Sequence, residues 1–294
     1  MKKTINILLL LSLLVSAAAC SGPVTDPEDV IGEEEETEQP TGPAVSQRPG
    51  ADFVSQFEKH VALWEFTGAW CANCPSGYTN MNFVLTANPD FTDYVHPMAF
   101  HSNTNDTDDL AIKETDAIMS AMNVTSLGFP SYAVDMTYGG SLVEGVNLRE
   151  HLYDTFEDNA PFCGVAVSSN VTDGVADVAL KLYTELDASW RVAVYVVEDK
   201  VKYYQKDGMR EHDQYTHRHV VRQIVSASYL GDRIGDKITA AGTELTADYE
   251  ISVSSDWNLE NTYVYVLAID ALGYVNNMNF CAITDGNSDF NRVK

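Results

Sequence analysis

The fold of this chain is decided by the stretch VALWEFTGAWCANCP, which runs from Val61 to Pro75. Its first seven residues form a short apolar run of strand length that stops at Gly68. The residues from about 75 to 87 are compatible with a helix. A C-x-x-C pair between a buried strand and a helix is the usual context of redox-active cysteines. The sequence therefore predicts a strand, a turn, a cysteine pair and a helix, in this order.

The position of Cys71 favours a reactive thiol. A thiolate at a helix N-terminus faces unpaired backbone N–H groups and the positive end of the helix macrodipole, which generally lowers the pKa of a thiol. Cys74, one turn further along, is placed to resolve a mixed disulfide formed by Cys71. Pro75 is tolerated because the first helical turn offers no intrahelical partner for its missing N–H group.

Two other interpretations of the cysteine pair remain open. One is a retained disulfide without redox activity, and the other is half of a zinc site. A structural zinc site uses four ligands, whereas Cys163 and Cys281 fall in a different predicted domain and His101 is a lone candidate nearby. We therefore predict no metal at this pair and no cofactor.

Helical and strand patterns alternate through the rest of the first half. Strands are predicted at residues 94–101, 131–136 and 141–144, and helices at residues 108–123 and 147–159.

Three features of this half resemble thioredoxin. They are the acid Glu65, six residues before the first cysteine, the Trp70-Cys71-x-x-Cys74 core, and the later segment Gly128-Phe129-Pro130-Ser131. The resemblance implies a thioredoxin-like α/β domain at residues 51–160. It also implies that Glu65 shuttles the proton of the resolving thiol and that Pro130 is a cis-proline packed against the pair. Because Ala-Asn replaces the Gly-Pro of thioredoxin between the cysteines, the redox potential and the direction of electron flow stay open.

After Pro161 the pattern becomes that of an all-β domain. Seven alternating or β-branched runs, separated by Gly, Asp and Asn turns, lie near residues 162–169, 175–184, 191–198, 217–226, 244–254, 262–270 and 274–283. Seven strands in roughly 120 residues are typical of an immunoglobulin-like sandwich. The predicted sandwich spans residues 161–286, and residues 287–294 form a C-terminal tail.

Cys163 and Cys281 lie in the first and the last of these runs. First and last strands are commonly neighbours in sandwich folds, so the sequence predicts a structural disulfide between these two cysteines. On the chain-entropy model such a bond stabilises the fold by up to about 4–5 kcal/mol. The alternative is two separate buried thiols.

The segment from Glu211 to His219 contains three of the seven histidines. On a strand, His217 and His219 would share one face, and a transition-metal site is one interpretation of that arrangement. Because no fourth ligand can be placed, we interpret the segment as a polar loop that enters a strand and exposes its imidazoles.

The N-terminus has the pattern of a bacterial lipoprotein signal peptide. Lys2 and Lys3 precede an apolar run from Ile5 to Val15, and small residues come directly before Cys20. The apolar run is too short to span roughly 30 Å of hydrocarbon, and the small residues before the cysteine resemble a lipobox. This pattern predicts a signal peptide at residues 1–19 and a lipid on Cys20. Ordinary secretion, with Cys20 left as a stray thiol, is the alternative.

Residues 20–50 are rich in Pro, Gly, Thr and acidic residues, including the run from Glu33 to Glu36. Such a composition cannot bury a core, and its like charges repel one another, so an acidic disordered tether is predicted. An acidic surface-export signal is a second interpretation of the same run.

The charge of the chain limits its partners. A formal net charge of −25, from 18 Lys and Arg against 43 Asp and Glu, would repel a polyanion, so we predict no nucleic-acid partner. The predicted partners are a membrane, through the lipid on Cys20, and the thiols or disulfides of other proteins.

Several features together resemble one family, the twenty-eight-kilodalton outer-membrane-protein-related lipoproteins of Gram-negative anaerobes. These features are the lipobox, the acidic spacer, the cysteine motif, the β-rich second half and the stretch HRHVVR at residues 217–222. The resemblance implies an outer membrane lipoprotein that faces the periplasm or the cell surface, and an adhesin or receptor role has been attached to this family.

Two functions follow as hypotheses. The first is a cell-envelope thiol–disulfide oxidoreductase that uses Cys71, Cys74 and Glu65, with Trp70 and Pro130 beside them. The second is a surface adhesin or ligand-binding lipoprotein, in which the pair is only a structural disulfide and the sandwich loops bind the partner.

Overall fold

The computed structural model describes Pro49 and residues 52–104, 108–143 and 146–293. Up to Asp158, this described part of the chain contains four strands and four α-helices. The strands are β1 Val61–Thr67, β2 Val95–His101, β3 Ser131–Val134 and β4 Tyr138–Ser141. The helices are α1 Cys74–Thr86, α2 Pro89–Tyr94, α3 Thr115–Ala121 and α4 Val146–Asp158.

Strands dominate the described residues after Asp158. They are β5 Cys163–Thr172, β6 Val175–Thr184, β7 Ala188–Glu198, β8 Val201–Asp207, β9 Arg210–His217, β10 Val220–Ile224, β11 Asp232–Thr239, β12 Glu244–Ser252, β13 Thr262–Ile269, β14 Val275–Ala282 and β15 Gly286–Ser288.

The larger sheet has the order β14-β13-β7-β10-β2-β1-β3-β4, and β11 also pairs with β7. β1 runs parallel to β2 and antiparallel to β3. β10 joins β2 in parallel where Val220 lies opposite Ala99. Strands from both sides of residue 160 therefore share one sheet. The division into domains at residues 51–160 and 161–286 stays a prediction.

The two faces of β1 pack against different layers, because successive side chains of a strand point to opposite faces. Ala62, Trp64 and Phe66 belong to an apolar cluster that includes side chains of α3 and β7. Val61 and Leu63 instead pack with side chains of α1, α2 and α4. By this alternation, Glu65 falls on the helix side of the sheet.

The smaller sheet, in the order β12-β6-β5-β15, packs against the larger one. Alternate apolar side chains of β5 and β6 meet those of β7 and β13 in a second buried cluster, which includes Val165, Val167, Val178, Leu180, Val194, Val196, Val264 and Val266. The prediction of β-rich structure with sandwich-like sheets is confirmed in this form.

Cys163 and Cys281 are two separate buried thiols. Side-chain amides of β14 fix its register against β5: Asn277 Nδ2 donates to Cys163 O at 2.9 Å, and Asn279 Nδ2 donates to Val165 O at 2.8 Å. By the same register Cys281 lies level with Val167, about 13 Å along the strand from Cys163. A disulfide needs Cα atoms within about 7 Å. The predicted Cys163–Cys281 disulfide is therefore not formed, and the alternative of two buried thiols describes the structure.

Most predicted elements around the cysteine pair are confirmed, and the differences are local. The helix predicted at residues 108–123 is the shorter α3, and the strand predicted at residues 141–144 is β4, three residues earlier. The single strand predicted at residues 217–226 is divided between β9 and β10, because His219 adopts a φ of +53° that interrupts an extended backbone.

The predicted signal peptide at residues 1–19 and the lipidated Cys20 lie outside the described residues, as does the predicted tether at residues 20–50 apart from Pro49. Within the part of the chain that is described, no helix is both long enough and apolar enough to cross a membrane.

A buried ion pair joins three distant parts of the chain. Lys59 Nζ lies 2.6 Å from Asp135 Oδ2, and it also donates to Asn276 O at 2.7 Å and Val275 O at 3.3 Å. Asp135 Oδ1 accepts a hydrogen bond from Ala62 N at 2.8 Å. Burial raises the pKa of Asp135, and the Lys59 ammonium opposes this shift. The pair thus links the segment before β1, the end of β3 and the start of β14.

We expect the ion pair to show strong coupling in a double-mutant cycle. Lys59→Met and Asp135→Asn should each lower the free energy of unfolding by about 3–5 kcal/mol, because each leaves the other charge buried without its partner. The double variant should lose clearly less than the sum. Urea unfolding measures all four proteins. The exposed pair Lys181–Glu244 is the control, with an expected coupling below about 1 kcal/mol. Additive losses at Lys59 and Asp135 would contradict the prediction.

Candidate functional site

Cys71 and Cys74 form a disulfide where the turn after β1 enters α1, with their Cα atoms 5.4 Å apart. Cys71 N donates to Gly68 O at 3.0 Å, and Cys74 N donates to Cys71 O at 3.3 Å. Both cysteines are buried, with 5% of Cys71 and 2% of Cys74 exposed. The disulfide therefore lies at the start of a helix but is covered by other parts of the chain.

Trp70 and Pro130 lie in the packing around this turn. Trp70 Nε1 donates to Ser102 O at 2.8 Å, and the indole meets the ring of Phe129 edge-on at 5.2 Å. The Phe129–Pro130 peptide bond is cis, the configuration that the thioredoxin resemblance implies. On α1, a Cβ at Gly77 would overlap the Pro130 ring, so glycine lets the helix approach the proline closely.

Glu65 is a buried acid on the helix side of β1, with 3% of the residue exposed. Burial disfavours its charged form and raises the pKa of Glu65 to about 8. At neutral pH the side chain is therefore mainly a protonated acid, which can donate a proton as well as accept a hydrogen bond.

A small cavity of about 20 Å³ is lined by both Glu65 and Cys74. His101, Gln205 and His217 also line it. A cavity of this size has room for about one water molecule. Glu65 and Cys74 thus line a common space in which a single water can pass a proton between them.

A histidine–aspartate pair, which the sequence did not indicate, supports the turn before Cys71. His101 Nδ1 lies 2.8 Å from Asp108 Oδ2, and this oxygen also accepts a hydrogen bond from Ala69 N at 2.6 Å. Asp108 therefore holds both the imidazole and the backbone of the turn. From the sequence, His101 is predicted only as a possible zinc ligand, and Asp108 belongs to no motif that would indicate a functional residue.

His217 is buried, which corrects the prediction that the imidazoles of this segment are exposed. Its ring packs against His101 with centroids 5.0 Å apart, and its Nε2 lies 3.1 Å from Tyr204 O. Burial and, secondly, electrostatic repulsion by the neighbouring His101 imidazole lower the pKa of His217 to about 4. His217 is therefore neutral near pH 7.

Gln205 is a second residue of the site that was not predicted from the sequence. It belongs to the hairpin of β8 and β9, which reverses direction through the two residues Gly208-Met209 between the paired Asp207 and Arg210. Gly208 has a φ of +59°, a conformation that favours glycine in two-residue hairpin turns. A single glycine between two polar segments of strand length was the available signal.

The described residues contain no group of three or more His, Cys, Asp or Glu side chains placed to hold a metal ion.

The fold and the site define a mostly β protein with two packed sheets and a buried disulfide at the start of a helix. The chain belongs to the outer membrane protein Omp28 family, whose model matches residues 115–285, more than half of the chain. The family description indicates a cell-envelope protein at the outer membrane. The matched range contains Pro130, Gln205 and His217, but the cysteine pair lies before it.

A solved structure of similar fold is that of HBP35 of Porphyromonas gingivalis. The two chains share 18% sequence identity with a TM-score of 0.65, and the similarity covers 78% of this chain and 77% of the other. At this identity the similarity concerns the fold alone. No curated protein matches the sequence.

We expect Glu65→Gln to stabilise the protein in a pH-dependent way. The folded-state pKa of about 8 lies above the ordinary value of 4.5. Protonation of Glu65 in the folded state thus contributes its full stabilisation to the free energy of unfolding below pH 4.5. This contribution is lost as the pH rises to 8. Because glutamine has no proton to lose, the gain in unfolding free energy should be about 2–3 kcal/mol larger at pH 7 than at pH 5.

Urea unfolding of the oxidised protein at both pH values measures this difference. Glu211→Gln, on the exposed side of β9, is the matched control and should give no such change. An equal effect of Glu65→Gln at both pH values would contradict the assigned protonation.

Proposed function

We propose that this protein is a cell-envelope thiol–disulfide exchange protein whose redox pair is Cys71 and Cys74. The observation that carries the proposal is the shared cavity: the disulfide at the start of α1 has Cys74 beside Glu65, an acid whose pKa is raised to about 8. Groups with strongly shifted pKa values next to a chemically reactive pair are typical of functional sites.

The proposed exchange proceeds in two balanced steps. In the reduced protein, the Cys71 thiolate attacks a substrate disulfide, forms a mixed disulfide and releases one substrate thiolate. Cys74 then loses its proton and attacks the Cys71 sulfur. The second substrate thiolate leaves, and the Cys71–Cys74 bond forms. Two electrons have passed to the substrate, and the reverse sequence oxidises a substrate dithiol.

Glu65 manages the proton of Cys74 in this scheme. When the disulfide is reduced, Cys74 leaves as a thiolate in a buried space, and a buried anion is unfavourable there. The protonated Glu65 can transfer its proton to this thiolate. In the opposite direction, the Glu65 carboxylate accepts the proton from Cys74 before the thiolate attacks.

We also propose that residues 51–160 are thioredoxin-like. The support is the order of β1, the cysteine turn and α1, with β3 following Pro130 and pairing antiparallel to β1. In this proposal Trp70 and Pro130 shape the surface that receives the substrate peptide. A strand-to-helix turn beside a proline loop is a suitable frame for such a surface.

Insulin reduction tests the proposed activity. The wild-type protein should accelerate the reduction of insulin by dithiothreitol, and Cys71→Ser should fall to the uncatalysed rate because the attacking sulfur is lost. Cys74→Ser should accumulate a mixed disulfide on Cys71, detectable by mass spectrometry. Cys163→Ala, which removes a buried thiol away from the pair, is the control and should keep the activity.

If the wild-type protein neither reduces nor oxidises a protein disulfide above background, the proposed activity is wrong. The surface-binding role that the sequence left open would then be the better hypothesis.

We further propose that the protein is an outer membrane lipoprotein anchored through Cys20, with its acidic segment as a tether. The support is the lipobox-like sequence before Cys20 and the family description. In the native host, the wild-type protein should incorporate a fatty-acid label and fractionate with membranes. Cys20→Ala should lose the label. Cys281→Ala, with all N-terminal residues unchanged, is the control. Label retained in Cys20→Ala would contradict the anchor.

A further inference from the structure

The hairpin formed by β8 and β9 lies across the cysteine turn. Lys206 N donates to Ala69 O at 2.8 Å, and Gly208 N donates to Ala72 O at 2.8 Å. These two backbone hydrogen bonds attach the end of β8 to the chain on both sides of Cys71. The turn that carries the disulfide is therefore paired with a segment more than 130 residues further along the chain.

The buried side chain of Gln205 adds further hydrogen bonds to this attachment. Its side chain is 2% exposed, and its Nε2 donates to Cys71 O at 3.0 Å and to Gly68 O at 3.3 Å. These hydrogen bonds are lost when the hairpin moves away, and hydrogen bonds to water replace them only in part, so each contributes a modest net stabilisation of the closed state. Gln205 thus positions the cysteine turn and holds the hairpin against it.

The outer part of the hairpin can detach while its base, where His217 of β9 packs against His101, stays in place. β8 and β9 pair only with each other among the described strands, and an isolated two-stranded hairpin is only marginally stable. None of the three buried apolar clusters of the described residues includes a residue of the hairpin. At its tip, Met209 is fully exposed. Detachment of the tip therefore breaks hydrogen bonds and leaves the apolar cores intact.

We propose that the β8–β9 hairpin is a gate over the Cys71–Cys74 disulfide, and that a thiol reaches Cys71 only while the Lys206–Gly208 segment is detached. This inference rests on the proposed exchange function for its biological meaning. The closed hairpin would account for the burial of the pair: only 5% of Cys71 is exposed although the disulfide lies at the start of a helix. Substrate selection would then depend on the hairpin as well as on the cysteines.

Reduction of the pair by dithiothreitol tests the gate without any protein substrate. One thiolate of the reagent attacks Cys71 Sγ, the disulfide bond breaks, and Cys74 leaves as a thiolate that takes up a proton. The second thiol of the reagent loses its proton and displaces Cys71. Two electrons pass to the pair, and the reagent becomes a cyclic disulfide. Quenched alkylation and mass spectrometry follow the reaction in the full chain.

For the wild-type protein the reduction rate should level off at high dithiothreitol, because hairpin opening becomes limiting. Gln205→Ala should raise this plateau roughly tenfold, since it removes the buried hydrogen bonds of the closed state. Gln214→Ala, an exposed glutamine on β9, is the matched control and should leave the plateau unchanged. A rate proportional to dithiothreitol over the whole range, with the same slope in the wild type and in Gln205→Ala, would overturn the gate.

A second measurement covers the case in which Gln205→Ala does not fold. In the wild type, hydrogen exchange of the Lys206 and Gly208 amides, under conditions where each opening leads to exchange, should proceed at the plateau rate. Amides that stay protected while the disulfide is reduced would overturn the gate. Neither measurement uses insulin. A negative insulin assay would therefore not overturn the gate, and a negative result for the gate would not overturn the proposed exchange activity.

Discussion

The buried ion pair between Lys59 and Asp135 is the contact on which the arrangement of the sheets depends. Removing two charges from water is unfavourable, so the pair is tolerated only where further partners satisfy both groups. The backbone at Ala62 and the carbonyl groups at the start of β14 provide those partners. Since these groups belong to three separate segments, one geometric requirement fixes β1, β3 and β14 relative to one another.

The sequence predicts the local structure near the cysteines well, because those signals are local. Apart from Glu65 and Thr67, VALWEFT is apolar on both faces of a buried strand, and Pro75 and the cysteine spacing mark the helix start. The arrangement of strands is a different matter, since a period of two tells which face a side chain takes but not which strand lies beside it. For this reason the sequence could not show that β10 lies beside β2, or that Cys163 faces Asn277 instead of Cys281.

The candidate site could be predicted only in part, because only some of its residues lie in local sequence motifs. Glu65 lines one cavity with the disulfide-bonded Cys74, and Pro130 lies against Gly77 of the helix that Cys74 begins. Gln205 arrives from a distant hairpin, and its type and spacing carry no chemical signature. The side chains that line the cavity are also mostly uncharged at neutral pH, as Glu65 holds its proton and His217 is unprotonated. Burial produces this state, so it can be recognised only in the folded chain.

The insertion of β10 between β2 and β7 has a consequence for the order of folding. β2 ends at His101, whereas β10 begins at Val220, so the central sheet is completed only by contacts of large sequence separation. Such topologies fold slowly. A chain that leaves the ribosome or a translocation channel N-terminus first has its cysteine turn outside well before the segment that covers it. The disulfide therefore has time to form from open thiols, before the finished fold encloses it.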